Sequence, residues 1–228
     1  MPASPTPTRS AESALIMAAI ELFGHDGFAA VSTRKVSEHA GTNIASIKYY
    51  FGGKKELYKA AVVHVAEQVR PRIEFALTAF KQGQDLAGQD TIVQARLIKQ
   101  LVANLLQLFL TNKDIPHFMP FVLREFFIPG PHFSIFYEAV PRQLHKLFTR
   151  MVAMVEGSDP ASESAIIRAH GILGQVMMFH VGREVLFRRL DWQTYTPVRV
   201  ELITTEVQSL VLNALKLADP DQEVNNVD

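Results

Sequence analysis

Two short segments on either side of a glycine contain the side chains best suited to binding chemistry. Residues 33–40 and residues 44–50 both have helical spacing, and Gly41 separates them. Gly41 can adopt the positive φ that a tight turn requires. Four apolar residues can face inward and join the two helices, namely Val36, Ala40, Ile47 and Phe51. This spacing is typical of a helix-turn-helix.

The outer side of the second helix presents small, hydroxyl-bearing, aromatic and cationic side chains. A short helix of this composition can enter the major groove of DNA and contact base edges. Free N–H groups at the start of the first helix favour phosphates, and two lysines that open the next helix can hold the DNA backbone. We expect contacts to bases or nearby backbone from Ile44, Ala45, Ser46, Lys48 and Tyr49, and contacts to phosphates from Thr33, Arg34, Tyr50, Lys54 and Lys55. Asn43, which can cap the second of these helices, is also a predicted DNA-binding residue.

The charge distribution is more informative than the total charge. The chain has 23 Lys and Arg residues and 23 Asp and Glu residues, so its formal net charge is zero. Residues 30–60 nevertheless hold six cations and two anions, which gives a local charge of +4. We interpret residues 218–228, which hold four anions and no cation, as an acidic disordered tail. The six cations alone would fit a solvated helix face equally well.

Three motifs occur in this region in a fixed order. They are Phe23-Gly24-x-x-Gly27-Phe28, Thr33-x-x-Val36-x-x-x-Ala40-Gly41 and Ile47-x-Tyr49-Tyr50-Phe51-x-x-Lys54-x-x-Leu57. Over residues 10–60 the pattern resembles the N-terminal DNA-binding domain of TetR-family transcription regulators. The run from Asn43 to Gly52 is similar to the narrower CecR-like subgroup, which pairs this head with a characteristic C-terminal domain. Lys48 and Gly53 replace an aromatic and a capping polar residue that are common in the family.

The resemblance implies a homodimer that reads a near-palindromic DNA operator and usually represses transcription. It also implies that a small-molecule effector binds the C-terminal domain, shifts the fourth helix and moves the two heads apart. The CecR-like resemblance implies control of transport or drug-response genes. Activation instead of repression remains open at this point.

The C-terminal region is rich in aromatic residues and methionine. Seven of the fifteen phenylalanines lie within residues 109–136. Aromatic rings and flexible methionines around a few polar groups can line an apolar ligand pocket, although an ordinary core has the same composition. Arg124 either holds an acidic effector or pairs with Glu125. The predicted pocket residues are Phe109, Phe118, Phe121, Arg124, Phe127, Phe133, Tyr137, Met154, Met177 and His180.

Two C-terminal helices carry apolar stripes that can form a dimer interface. Ile203, Val207, Leu210 and Ala214 fall at i, i+4, i+7 and i+11, a seam of heptad type. The preceding helix adds Ile166 and Leu173. Two such helices per subunit can build a four-helix interface with two-fold symmetry, or the stripes can face their own core.

Several other classes of function find little support. The chain has no cysteine, which excludes disulfides, Cys zinc sites and a thiol nucleophile and fits a cytoplasmic protein. The eight histidines have no metal-ligand spacing, so we expect no metal and no cofactor. No apolar run approaches the roughly 20 residues of a membrane span. The alternatives to a regulator are a helical enzyme acting on an apolar small molecule and a protein–protein interaction module.

Helical periodicity extends along the whole chain and predicts an all-α fold of roughly nine or ten helices. We expect a first helix from about Ser10 to the glycines at 24 and 27, a kink or interruption at Pro71, a loop over 82–88, and helical patterns over 91–110 and 132–155. Two further helices should follow Asp159-Pro160 and Thr196-Pro197. The predicted domains are a flexible arm (1–9), a three-helix helix-turn-helix DNA-binding domain (10–56), a larger helical ligand-binding and dimerisation domain (57–217) and the acidic tail (218–228).

Overall fold

The computed structural model of the protein describes residues 7–111 and 115–221. Within these ranges every regular element is α-helical, which confirms the all-α prediction. None of the helices described combines the length and apolar composition that crossing a bilayer requires. The helices are α1 (Pro7–Ala30), α2 (Thr33–His39), α3 (Ile44–Phe51), α4 (Lys54–Ala87), α5 (Thr91–Thr111), α6 (Ile115–Phe127), α7 (Phe133–Ala139), α8 (Pro141–Glu156), α9 (Glu163–Val181), α10 (Arg183–Leu190) and α11 (Pro197–Ala214).

The described residues form two compact units. The head unit consists of residues 7–71 and 115–141, and the body unit consists of residues 72–111 and 142–221. The sequence assigned α6 and α7 to the larger C-terminal domain, whereas the structure packs both helices with the N-terminal ones. The reason is that α1 buries much of its apolar surface against α6.

The contact between α1 and α6 requires a glycine. Gly24 lies so close to α6 that a Cβ at this position would be 2.8 Å from the backbone nitrogen of Phe121. The prediction that Gly24 helps to end α1 was therefore wrong, because this glycine permits close packing inside the helix. The helical geometry breaks at Gly27, where φ is 85° and ψ is 163°. The helix begins at Pro7, so residues 7–9 of the predicted arm belong to α1, and residues 1–6 lie outside the described residues.

Helix α4 is longer than the sequence suggested. It continues through Pro71, where the sequence predicted a kink or an interruption, and it includes residues 82–87 of the predicted loop. In the body unit its later turns bury Ile73, Ala76 and Phe80, and this burial favours the helix over a loop. A Cβ at Gly83 would overlap the side chain of Leu97, so this glycine lets α4 pack closely on α5. The helix ends before Gly88, whose φ is 50°.

Three further helix boundaries differ from the predictions. The expected helix over 132–155 is divided at Val140, directly before Pro141, and the one after Asp159 is divided at Gly182. Ser162, not Asp159, caps α9, since its hydroxyl accepts from the Ala165 N–H. The predicted cap of Thr196 with Pro197 in the first turn of α11 is confirmed.

The first residues of the predicted acidic tail have fixed partners. Lys99 Nζ lies 2.7 Å from a carboxylate oxygen of Asp219 and 2.6 Å from one of Asp221. Lys99 is largely buried, and these two contacts raise the pKa of its ammonium group against the opposing effect of burial. Residues 218–221 are thus not disordered, because Asp219 and Asp221 neutralise the charge of Lys99 on α5. Residues 222–228 lie outside the described residues.

We expect Gly24→Ala to destabilise the protein by about 1–3 kcal/mol, because the methyl group would force the α1 and α6 backbones apart. Urea unfolding followed by circular dichroism would measure the change. Gly171→Ala is the matched control, because a Cβ there meets nothing within 4 Å and alanine favours a helix interior. Equal stability of the Gly24 variant and the original protein would contradict the close packing.

Candidate nucleic-acid interface

Local hydrogen bonds fix the turn between α2 and α3. The Ser32 hydroxyl accepts from the Lys35 N–H at 3.1 Å and caps α2. The Thr42 N–H donates to the Ser37 carbonyl at 2.9 Å, and Gly41 has the positive φ that the sequence predicted, 63°. Asn43 Oδ1 accepts from the Ala45 N–H at 2.9 Å and caps α3. These bonds fix the local conformation of the turn that joins the two helices.

Apolar contacts hold α2 and α3 on the head unit. Val36 and Ile47 are buried, as predicted, while Ala40 and Phe51 are half-buried. Tyr58 of α4 extends this core, since its ring meets Phe23 edge-on at 5.0 Å between centroids and is also in contact with Phe121 of α6. The helix-turn-helix is therefore packed on α1 and α4.

The outer face of α3 presents apolar and cationic side chains to solvent. Tyr49 is 79% exposed and Ile44 is 51% exposed. Large apolar groups concentrated on one exposed face usually mark a contact surface. Ala45 and Lys48 share this exposure, whereas Ser46 and Tyr50 are half-buried. The Tyr49 and Tyr50 rings meet edge-on with centroids 4.9 Å apart.

The cations around this face differ in whether an anion neutralises them. Arg34 Nε is 2.8 Å from Glu38, and Lys35 Nζ is 2.6 Å from Asp26. The hydrogen bond and charge of Lys35 lower the pKa of the Asp26 carboxyl group, so this pair stays ionised at neutral pH. All four groups lie at the surface, where such pairs contribute little stability but cancel local potential.

The remaining predicted phosphate contacts lie near the start of α4. Lys54 Nζ lies 4.6 Å from the centre of the Phe28 ring and 3.5 Å from the Ala29 carbonyl oxygen. Within the described part of the chain, Lys48 and Lys55 are exposed and have no ionic partner. Lys48, Lys54 and Lys55 thus supply positive charge that no nearby carboxylate cancels. Thr33, half-buried, begins α2 directly after its cap.

Arg124 and Glu125 of α6 have separate partners, so the predicted pair between them was wrong. The Arg124 guanidinium donates to the carbonyls of His25 and Asp26 at 3.3 and 3.4 Å. These carbonyls lie at the break in α1, where no helical N–H follows in register. The buried Glu125 carboxylate accepts from the Tyr58 hydroxyl and from the Gly130 N–H. Burial and this carboxylate raise the pKa of Tyr58 well above its ordinary value, so the hydroxyl remains a donor.

The predicted pocket residues belong to both units. In the head unit Phe118 and Phe121 are buried, Arg124 and Phe133 are half-buried, and Tyr137 is exposed. Phe127 is 74% exposed and does not line an enclosed space.

In the body unit Phe109 and His180 are buried, and Met154 and Met177 are half-buried. His180 Nδ1 lies 2.8 Å from the Phe109 carbonyl oxygen, and burial lowers the pKa of this histidine.

Sequence reasoning did not identify the Tyr58–Glu125 contact, because its partners are 67 positions apart.

Half of the six predicted dimer-interface residues are buried inside the body unit. Leu173, Ile203 and Val207 are buried, because α11 packs on α5 and α9. Ile166 and Leu210 are exposed, and Ala214 is half-buried. Ile203 and Val207 thus follow the alternative in which the stripe faces its own core, whereas the dimer role of the exposed residues stays a prediction. The same two helices expose Ile167 and Leu202 as well.

Comparisons with known proteins agree with this arrangement. Residues 15–61 match the model of bacterial regulatory proteins of the tetR family, and residues 95–216 match the C-terminal domain of the HTH-type transcriptional dual regulator CecR. The chain is 33% identical to the CecR regulator of Shigella flexneri over 210 residues, which cover 90% of this chain and 92% of the relative.

Solved structures show the same fold at low identity. A TetR-family transcriptional regulator from Streptomyces coelicolor is 12% identical with a TM-score of 0.58, covering 93% of this chain and 96% of that one. A hemolysin II transcriptional regulator is 17% identical with a TM-score of 0.55, covering 87% and 97% respectively.

The chain belongs to the TetR family of transcriptional regulators and has a C-terminal domain of the CecR type. Regulators of this family bind DNA and dimerise, and they are not enzymes. The alternative of a helical enzyme is therefore set aside.

We expect Glu38→Gln to strengthen binding to a labelled duplex of mixed sequence at low salt, because it releases Arg34 for a phosphate. Each added phosphate contact should steepen the slope of log affinity against log salt by about 0.9. Fluorescence anisotropy across a salt series would measure both effects. Glu12→Gln is the control, because it removes the same charge from an exposed position of α1. An unchanged slope in the Glu38 variant would show that Arg34 stays away from DNA.

Proposed function

We propose that this protein is a homodimeric, ligand-responsive repressor that binds a palindromic operator in the cytoplasm and leaves it when a small-molecule effector binds. The observation that carries the proposal is the exposed face of α3, where Ile44, Lys48 and Tyr49 project from a helix whose angle is fixed by two capped turns. The family membership supports dimerisation and DNA binding.

The side chains on α3 suit different parts of a base pair. Ile44 and Ala45 can contact thymine methyl groups, and Lys48 can donate to guanine O6 and N7. The aromatic ring of Tyr49 is too exposed to contribute to the core of the head unit, so it suits contact with the wall of the groove. The Asn43 side chain caps α3, and its amide nitrogen remains for the DNA backbone. Ser46 and Tyr50 add hydroxyl groups at the edge of this face.

The phosphate contacts should be few and weak. Thr33 at the start of α2, together with Lys54 and Lys55, can hold the backbone on either side of the groove. Two-fold symmetry predicts half-sites separated by one or more helical turns of roughly 34–36 Å each.

Helix α6 provides a route by which an effector can change DNA binding. Its adjacent residues Arg124 and Glu125 bind α1 and α4 respectively. A displacement of α6 therefore acts on both helices that support α2 and α3. An effector shifts this equilibrium only if it binds the two arrangements with affinities that differ by a few kcal/mol. The aromatic residues Phe118 and Phe121 on α6 support an apolar effector.

Gene activation is a second candidate effect. The relative from Shigella flexneri carries the name dual regulator. This similarity favours both repression and activation.

Selection of sheared genomic DNA by the purified protein tests DNA reading. We expect the unsubstituted protein to recover a palindromic sequence and the Lys48→Ala, Tyr49→Ala double variant to recover none. The matched control is the Phe75→Ala, Lys81→Ala double variant, which removes the same charge and an aromatic ring exposed to a similar degree. Recovery of the same palindrome by both double variants would overturn the role assigned to α3.

A second prediction concerns the contact between α4 and α6. Tyr58→Phe removes the donor to buried Glu125, and we expect a loss of about 1–3 kcal/mol in unfolding free energy. Operator affinity should fall together with stability, since α6 would hold α4 less firmly. Tyr137→Phe is the control, because that tyrosine lies exposed on α7. Unfolding in urea and titration of the recovered operator give the two readouts, and unchanged operator affinity in the Tyr58 variant would contradict the route through α6.

A further inference from the structure

Two histidines from neighbouring helices face each other in the body unit. His145 Nε2 of α8 lies 2.9 Å from His170 Nδ1 of α9. The ring centroids are 5.0 Å apart and the ring planes differ by 23°. This pair could not be predicted from sequence, because its members are 25 positions apart and belong to different helices. Nothing in the proposed regulatory function uses it.

The backbones that carry the pair are held firmly. Leu144, Leu147 and Phe148 are buried on α8, and Ala169 and Ile172 are buried on α9. Each histidine is thus flanked by core residues that fix the position of its Cα. His170 is exposed and His145 is half-buried, so solvent and small ions reach the space beside the two nitrogens. The two histidines are therefore held in position and remain open to solvent.

The separation of the nitrogens is close to that of two ligands on one metal ion. Two metal–nitrogen bonds of about 2.0–2.1 Å place the nitrogens about 2.9 Å apart at a right angle and about 3.4 Å apart at a tetrahedral angle. The observed 2.9 Å is also the length of the N–H···N hydrogen bond that joins the pair, so each ring must turn before both nitrogens face one ion. Imidazole nitrogens suit Ni²⁺ and Cu²⁺, which stand high in the affinity order of divalent ions.

The local charges permit metal binding. One of the facing nitrogens carries the shared hydrogen, and that ring must take its other tautomer when a metal binds. The nearby Arg168 is occupied, since it contacts Glu156 at 2.9 Å and donates to the Ala214 carbonyl.

We propose that His145 and His170 form a binding site for a divalent transition-metal ion that favours imidazole ligands, such as Ni²⁺ or Cu²⁺. Among the described residues no group of three or more His, Asp, Glu or Cys side chains could hold a metal ion, so water fills the other coordination positions of an ion bound to the two histidines. The bound ion ties α8 to α9 and replaces a single hydrogen bond by two coordinate bonds.

Calorimetric titration with NiCl₂ tests the site on the full chain without an affinity tag, at about pH 7.5, where ordinary histidines are neutral. We expect one saturable Ni²⁺ site per chain and an increase in the melting temperature on addition of Ni²⁺. His145→Gln and His170→Gln should each weaken Ni²⁺ binding about tenfold or more, because loss of a ligand exceeds loss of its outer-shell partner. Mg²⁺ should not bind, since it requires oxygen ligands.

The control is His117→Gln, which removes an exposed histidine of α6 and should leave Ni²⁺ affinity unchanged. Melting curves recorded with a chelator establish that each variant is folded. With Cu²⁺, electron paramagnetic resonance should show two imidazole nitrogens in the unsubstituted protein and one in either variant of the pair. Absence of saturable Ni²⁺ binding, or unchanged affinity in folded His145→Gln and His170→Gln, would overturn the proposal.

Discussion

The close contact between α1 and α6 is the constraint on which the head unit depends. Gly24 leaves room for the α6 backbone, and Arg124 then reaches the two carbonyls that the break at Gly27 leaves without helical partners. Without α6, helices α1 to α4 would expose those carbonyls and one side of the Tyr58 ring. The DNA-binding helices therefore belong to a larger unit, and a segment more than fifty residues downstream of them completes its core.

In the head unit, packing determines the positions of the helices and charge determines the surface potential. Buried residues such as Val36 and Ile47 set the positions of α2 and α3, and the capping side chains of Ser32 and Asn43 set where each helix starts. The surface pairs, by contrast, add little to stability. Their effect is on the potential that DNA meets, since Glu38 and Asp26 cancel two of the cations that the sequence counts toward a basic segment.

The features that could be predicted from sequence are those set by neighbouring residues. The helix-turn-helix, the positive φ of Gly41 and the caps by Asn43 and Thr196 depend on side chains within a few positions, and all were predicted correctly. Features that depend on distant partners were missed. A heptad pattern marks Val207 as apolar without saying that α5 and α9 cover it. The partners of Arg124 could not be predicted, because the choice between Glu125 and two α1 carbonyls is made by the packing of α6.

The pairing of Arg34 and Lys35 with carboxylates also bears on how such a protein finds its target among the rest of the genome. Affinity for arbitrary DNA comes almost entirely from phosphate contacts. A head that keeps only a few uncompensated lysines stays briefly at each wrong site and returns quickly to solution. Fewer copies of such a protein are held at wrong sites, so a larger share of them is free to bind the operator.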